Sequence, residues 1–371
     1  MKILLDPQIF EQRFGGISRY YTEIYKYFKT KSGPHIQCPM LFSENLHLQH
    51  YGLQPKYLNW FFSKVLQKGY FTKKSLYKKN KKLTLKNLRV KRYTIFIPTY
   101  YDTYFLDYLN STPFVLTVYD MIHELYPQYF LNDTITCVQK KELMERASRI
   151  IAISDNTKKD IIKLYPHIQS SKITVIYLNH SIDKLKKVKP VSLMEGKKYI
   201  LFVGNRYGYK NFTWFIRSVS KWLTENKFSL LCLGGNPFNE DELQLIDDLH
   251  ISNRVSQYNF KDEELSHFYN HAFAFIFPSM YEGFGIPILE AMSCNCPVIL
   301  PETSSFPEVA GSAGIYFQLN KPATLTDALD KLLIDDNYRV NTILAGQKQA
   351  SMFSWEKTME QVSEVYRKAI L

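Results

Sequence analysis

AFAFIFPSMYEGFGIPILEAMSCNCPVIL, residues 272–300, contains an apolar run, a glycine turn, a helical segment and a second apolar run. The runs Ala272–Phe277 and Pro297–Leu300 are too short for helices and rich in Val, Ile and Phe, so they read as buried parallel strands joined by a helix. The same alternation extends outward. Tyr199–Val203, Phe228–Leu233 and Gly314–Phe317 complete one set of strands; Ile3–Leu5, Thr94–Ile97, Phe114–Val118, Ile150–Ile153 and Ile173–Ile176 make another. A helix from Gly16 to Phe28 places Ile17, Tyr20, Ile24 and Phe28 on one face. Strands alternating with helices predict an α/β protein built from two doubly wound parallel sheets. The seam is expected in the polar, Pro190-containing stretch Asp183–Lys198, giving domains 1–185 and 195–353 followed by a final helix, 354–371. In doubly wound sheets ligands sit beyond the strand carboxyl ends, so the two domains are expected to face each other across a ligand-binding cleft.

Composition narrows the function. The chain has 371 residues, 45% of them hydrophobic and 22% charged, which excludes a mini-protein and wholesale disorder. MKILLD is too short an apolar start for a signal peptide, and no stretch approaches the ~18 apolar residues of a membrane span, so a cytoplasmic location is expected. The five cysteines are scattered and odd in number, which predicts reduced thiols. Cys294 and Cys296 do not match zinc-ligand spacing and read as core; no metal site is expected.

The net charge of +12 resides in one place: twelve Lys or Arg and no Asp or Glu lie between Lys64 and Arg92. Tyr70, Phe71, Leu76, Tyr77, Leu83, Leu85 and Leu88 are interleaved with them, a pattern suited to an anionic membrane surface. A solvated lysine-rich loop is the plainer alternative. Nucleic acid ranks behind both, because no known binding pattern surrounds the run.

Two loops carry candidate chemistry. After the strand Ala272–Phe277 come Glu282, the turn Gly283-Phe284-Gly285, Pro287 and, inside the following helix, Glu290. A glycine turn opening a helix exposes backbone N–H groups at the positive end of the helix dipole, a cradle for phosphate. Carboxylates on either side of that cradle can grip hydroxyls, which together fits a sugar nucleotide. After Tyr199–Val203, Arg206 and Lys210 leave the strand's carboxyl end, where two cations can neutralise a departing diphosphate. Gly15 and Gly16, between the first strand and first helix, offer a further close backbone approach.

From FVGNRYGYKNF through LCLGGNPF and FKDEELSHFYNHAFAFIFPSMYEGFGIPILEAM to PEVAG, the chain resembles the retaining GT-B glycosyltransferases of family four, which are marked by two glutamates separated by seven residues. FGGISRY, TVYDMIHELYP and AISDNTKKDI resemble the family more loosely. The resemblance implies two Rossmann-like domains facing across a cleft, with the last helix crossing back to the first. It implies that Arg206 and Lys210 hold the donor diphosphate, Glu290 the ribose and Glu282 the donor sugar, with Gly15, Gly16 and Gly283–Gly285 closing on donor or acceptor. It also implies hexose transfer with retention, no metal and no cofactor beyond the nucleotide-sugar donor. NRYGYKNF with SMYEGFGIPILEAM resembles mannosyltransferases of bacterial surface-polysaccharide assembly. That would make GDP-mannose the first donor to test and a glycan or lipid-linked glycan at the inner membrane face the acceptor.

Two positions depart from the pattern: Asn295, which stands where members often carry glycine and reads as a left-handed helix cap, and Tyr119. Where many members read His-Asp after the third strong strand, this chain has Tyr119-Asp120, with His123 the nearest histidine. Asp120 and His123 are therefore the catalytic candidates of the first half, alongside a purely structural role for His123. Two other functions compete with transfer: a GT-B sugar-nucleotide epimerase and a nonenzymatic sugar-nucleotide-binding protein, the latter favoured by Tyr119.

Overall fold

A computed structural model describes residues 1–31, 34–67, 72–90, 92–182, 194, 196–261 and 263–371. Most of the expected seam, 183–198, lies outside the described residues. The chain divides into two compact units, one formed by Met1–Leu178 with Trp355–Leu371 and the other by Asn179–Ser354.

The first unit contains β1 (Lys2–Leu5), β2 (His35–Gln37), β3 (Ile95–Ile97), β4 (Val115–Val118), β5 (Arg149–Ala152) and β6 (Ile173–Val175). They pair in parallel in the orders β2-β1-β3 and β4-β5-β6, and a parallel bridge between Phe96 and Phe114 joins the two ladders. The helix Gly16–Thr30 covers the sheet with Tyr20, Tyr21, Ile24 and Phe28, all buried. The C-terminal helix Trp355–Lys368 packs on it: Tyr366 stacks on Phe28 at 5.7 Å, and Thr358 donates to the Tyr177 carbonyl at 2.8 Å. The i, i+3, i+7 spacing of Met359, Val362 and Tyr366 accounts for the buried face.

The second unit contains β7 (Tyr199–Val203), β8 (Ser229–Leu233), β9 (Val255–Tyr258), β10 (Phe275–Ile276), β11 (Val298–Pro301) and β12 (Ile315–Phe317). They form one parallel sheet in the order β12-β11-β10-β7-β8-β9. The chain runs outward from β7 to β9, then returns to place β10 on β7's other side, so the winding reverses between β7 and β10. In doubly wound sheets such a reversal is where ligands bind, beyond the strand carboxyl ends. Phe212, Phe215, Ile216, Val219, Trp222 and Leu223 of the helix Phe212–Glu225 close one face of this sheet, each contributing about 1.5–3 kcal/mol of burial.

The architecture is the α/β, doubly wound arrangement expected from the alternation of strands and helices. Sequence periodicity misses β2 and β9. Both are edge strands whose sequences, HIQ and VSQY, carry polar side chains that an interior parallel strand would exclude. Cys232, Cys294 and Cys296 are buried free thiols, as core packing requires. Asn295 takes the left-handed conformation, φ 61°, that stops the preceding helix.

The basic stretch needs correction. Instead of a loop it contains the helix Lys73–Arg89, whose Leu76, Asn80, Thr84 and Leu88 share one buried face. Leu76 and Leu88, expected from the sequence to meet lipid, are core residues. Tyr70 and Phe71 lie outside the described residues.

Asp6, directly after β1, is fully buried. The Tyr104 hydroxyl donates to its Oδ1 at 2.6 Å, and Oδ2 has no hydrogen-bond partner among the described residues. Burial pushes this carboxyl up to about 7, against the opposing pull of Tyr104 and Lys81. The folded chain thus holds a proton that the unfolded chain releases from its ordinary value of 3.8, so the stability tied to this group is complete below that value and is lost as pH rises towards 7. Asp6→Asn keeps an acceptor for Tyr104 and cannot ionise. Its thermal midpoint should exceed that of the unsubstituted chain at about pH 8, with the gap closing near pH 4; an equal gap at both values would contradict the assignment.

Candidate active site

The loops leaving β7 and β10, neighbours at the winding reversal, meet through one charged pair. Lys210 ends the short turn Gly208–Lys210 after β7, and its Nζ donates to Glu282 Oε1 at 2.6 Å. The two side chains are 18% and 15% exposed, partly withdrawn from water but open to a ligand. Backbone ties hold the loops in register: Met280 N–H donates to the Tyr209 carbonyl at 2.8 Å, and the Asn211 amide donates to the Pro278 carbonyl at 3.3 Å. Asn211 can end the turn and start the next helix because it takes the left-handed conformation, φ 61°.

Two serines clamp the glycine turn. Ser305 Oγ lies 2.9 Å from both the Glu282 and Phe284 carbonyls, and Ser304 Oγ accepts from Glu282 N–H at 3.0 Å. Gly285 sits at φ 96°, where a Cβ would come within 2.9 Å of Ile288 Cδ1. It opens the helix Ile286–Ser293, which has no side-chain cap among the described residues; Pro287 in its first turn carries no N–H, and Ile288 N–H donates to the Gly285 carbonyl at 2.9 Å. Glu290 lies one turn into this helix and is 5% exposed.

Two of the expected site residues have partners of their own within the protein. Arg206 does not join Lys210. It is buried, its Nε and Nη2 donate to Glu242 at 2.8 and 3.1 Å, and Nη2 also donates to the Asn236 carbonyl at 2.7 Å. Its plane packs against Phe238, 4.6 Å from the ring centre, so the guanidinium is satisfied as a brace for the loop after β8. Phe284 buries its ring against Phe353, 5.9 Å away, leaving only its backbone for a ligand.

The first unit holds the remaining candidates. Gly15, at φ 151°, caps the helix that starts at Gly16. Tyr119, in place of the family's histidine, is sealed: it is buried, and its hydroxyl donates to the Thr99 carbonyl at 3.0 Å. Asp120 remains partly exposed, and its Oδ1 accepts from Ile122 N–H at 3.1 Å. His123 lies 3.5 Å from Asp133 and packs on Phe130 at 4.1 Å, with Nδ1 buried and without a hydrogen-bond partner among the described residues. Burial, reinforced by the nearby Lys140 charge, holds its pKa below the ordinary value, favouring neutral imidazole. Lys140, buried between the Glu124 carboxylate at 2.9 Å and the Asp120 carbonyl at 3.1 Å, fixes this loop.

Sequence inspection passed over Ser304, Ser305, Glu242 and Lys140. Ser305 had a visible signal, since a serine before Phe306-Pro307 marks a helix start. Which backbone it grips is decided 23 residues upstream.

Residues 183–349 match the family described as Glycosyl transferases group 1. The chain carries a group 1 glycosyltransferase domain. It is similar to O-antigen chain mannosyltransferase B of Escherichia coli, 29% identical over 266 residues, which cover 68% of this chain and 70% of the relative. It is also similar to O-antigen chain mannosyltransferase RfbU of Salmonella typhimurium, 30% identical over 202 residues, 54% of this chain and 55% of that one. Among solved structures, Anabaena HepE in complex with UDP and glucose superposes with a TM-score of 0.71 at 18% identity, covering 98% of each chain. The glycosyltransferase domain thus lies in a GT-B fold, as the resemblance implied.

The clamp and the turn have a measurable worth. Gly285→Ala, strained by its backbone angle, and Ser305→Ala, which takes the hydroxyl donor from the Phe284 carbonyl while Ser304 still donates to that of Glu282, should each lower unfolding free energy by about 1–3 kcal/mol. Urea titration would read this, and an unchanged midpoint in both variants would contradict the role given to the turn.

Proposed function

We propose that this protein is a retaining hexosyltransferase that uses GDP-mannose as donor and a hydroxyl of a glycan or lipid-linked glycan as acceptor, in surface-polysaccharide assembly. The observation that carries the reading is the Lys210–Glu282 pair beside an uncapped helix N-terminus at the winding reversal. The similarity to two O-antigen mannosyltransferases supports mannose. The donor-binding role falls to the 195–353 domain and the acceptor-binding role to the 1–185 domain.

Without ligand, Lys210 and Glu282 neutralise each other. A diphosphate reaching the glycine turn competes for the ammonium and meets the helix dipole as well, so the charge building on the leaving group is stabilised without a metal. Glu282, released from its partner, is then free to orient the donor sugar and face the positive charge of an oxocarbenium-like transition state. The anomeric C–O bond to phosphate breaks, the acceptor oxygen attacks from the same face, and its proton passes to the departing phosphate oxygen. Glu290 holds the ribose hydroxyls. Asp120 and His123 are the first-unit groups assigned to the acceptor side, with neutral His123 able to accept a hydrogen bond. The protein works at the inner membrane face, where the lysine-rich stretch Lys64–Arg92 meets anionic lipid.

The sealed Tyr119 favours one rival, a sugar-nucleotide-binding protein without turnover. Release of nucleoside diphosphate from GDP-mannose and UDP-sugars, measured with and without lipid-linked acceptor, separates the readings. Acceptor-dependent release supports transfer, acceptor-independent release supports hydrolysis or epimerisation, and binding without release supports the rival. Glu282→Ala should cut turnover about 100-fold or more while nucleotide affinity stays nearly intact, whereas Lys210→Ala should weaken both. Equal loss of affinity in the two variants would refute these roles.

A further inference from the structure

In the first unit, the helix Lys56–Gln67 turns its aromatic side outward. Asn59 is buried on its inner side, with Phe62, Val65 and Leu66 half-buried beside it. Tyr57, Trp60 and Phe61 are 78%, 56% and 47% exposed. With Lys64 they fall at i, i+3, i+4 and i+7, one continuous helix face. The Tyr57 and Trp60 rings are 6.3 Å apart, and Lys64 Nζ stands 4.1 Å over the Trp60 ring. Clustered exposed rings on a folded unit mark a surface that expects to be covered.

The charge around this face says by what. No Asp or Glu occurs between Glu44 and Asp102. On the adjacent helix Lys73–Arg89, Lys73 and Lys81 are paired with Glu44 and Asp102. Lys74, Lys78, Lys82 and Lys86, four residues apart, are exposed and make no ion pair among the described residues. The two helices are anchored to one short segment: Asn59 accepts from Ser43 N–H at 3.0 Å, and Asn80 accepts from Leu41 N–H at 2.8 Å and donates to the Phe42 carbonyl at 3.1 Å. A second copy of a surface with this excess of lysine would be repelled. Tyrosine, tryptophan and lysine together match the chemistry of the headgroup layer, where ring bodies bury and polar tips stay wet.

We propose that Tyr57, Trp60 and Phe61 insert into the interfacial layer of an anionic bilayer while Lys64 and the Lys74–Lys86 row bind its headgroups. The inserting residues thus lie ahead of the lysine-rich stretch, and Leu76 and Leu88 within it serve the core. This deepens the proposed membrane-face role and rests on it only for its purpose, delivery of a lipid-linked acceptor.

The full chain is sedimented with vesicles of phosphatidylglycerol and phosphatidylcholine, and with phosphatidylcholine alone. Binding should require the anionic lipid and fall with salt. Combining Tyr57→Ser, Trp60→Ser and Phe61→Ser should weaken it by about tenfold or more, with nucleoside diphosphate release on a soluble acceptor unchanged. Brominated lipid should quench a tryptophan component that Trp60→Phe removes, a readout that does not depend on the folding of the triple variant. Equal vesicle binding by triple variant and parent, or no quenching of Trp60, overturns the proposal. So does a dimer in light scattering that the triple variant abolishes without changing vesicle binding. Because vesicle binding and turnover are read separately, absence of turnover with vesicle binding intact would refute the transferase reading alone.

Discussion

The second unit's site depends on holding an ammonium and a carboxylate 72 residues apart in sequence at hydrogen-bond distance without burying either completely. In open water such a pair is worth little, and in a dry core it would be locked and costly. The winding reversal solves the placement by setting β7 beside β10, so the loops that leave them emerge side by side. The Met280–Tyr209 and Asn211–Pro278 bonds prevent those loops from sliding, and the two serines fix the backbone that carries Glu282. The pair is therefore fixed in place while both side chains stay partly exposed.

Other cations of this chain meet a different fate for reasons of surroundings rather than residue type. Arg206 leaves the same strand as Lys210, yet its planar fork finds Glu242 and the Asn236 carbonyl, and a phenylalanine covers its face. Lys140 is wholly buried, paired with Glu124 and bound to the Asp120 carbonyl. Each is held in its loop by several partners. Among the described residues Lys210 has a single carboxylate partner, Glu282, and its side chain is partly exposed.

The first unit builds its interior differently, with tyrosines. Tyr20, Tyr21, Tyr119 and Tyr366 bring large apolar bodies to the core. Burial keeps their hydroxyls protonated, and the Tyr21 and Tyr119 hydroxyls donate to the Pro98 and Thr99 carbonyls. That use of Tyr119 makes the position where the resemblance implies a histidine into a piece of structure. The ionisable groups near the surface of the following loop are then Asp120 and His123.

The sequence by itself determined the alternation of strands and helices, the glycine turn before a helix, the C-terminal docking helix and the left-handed cap at Asn295. Each depends on local periodicity or on a backbone angle that one residue type favours. Tertiary structure alone decided that HIQ and VSQY become edge strands, that Arg206 turns inward, that Ser305 grips Glu282 and Phe284, and that Leu76 and Leu88 serve the core. In every one of those cases the partner is distant in the chain, and a side chain's role follows from which donors, acceptors and apolar surface the fold brings within a few ångströms of it.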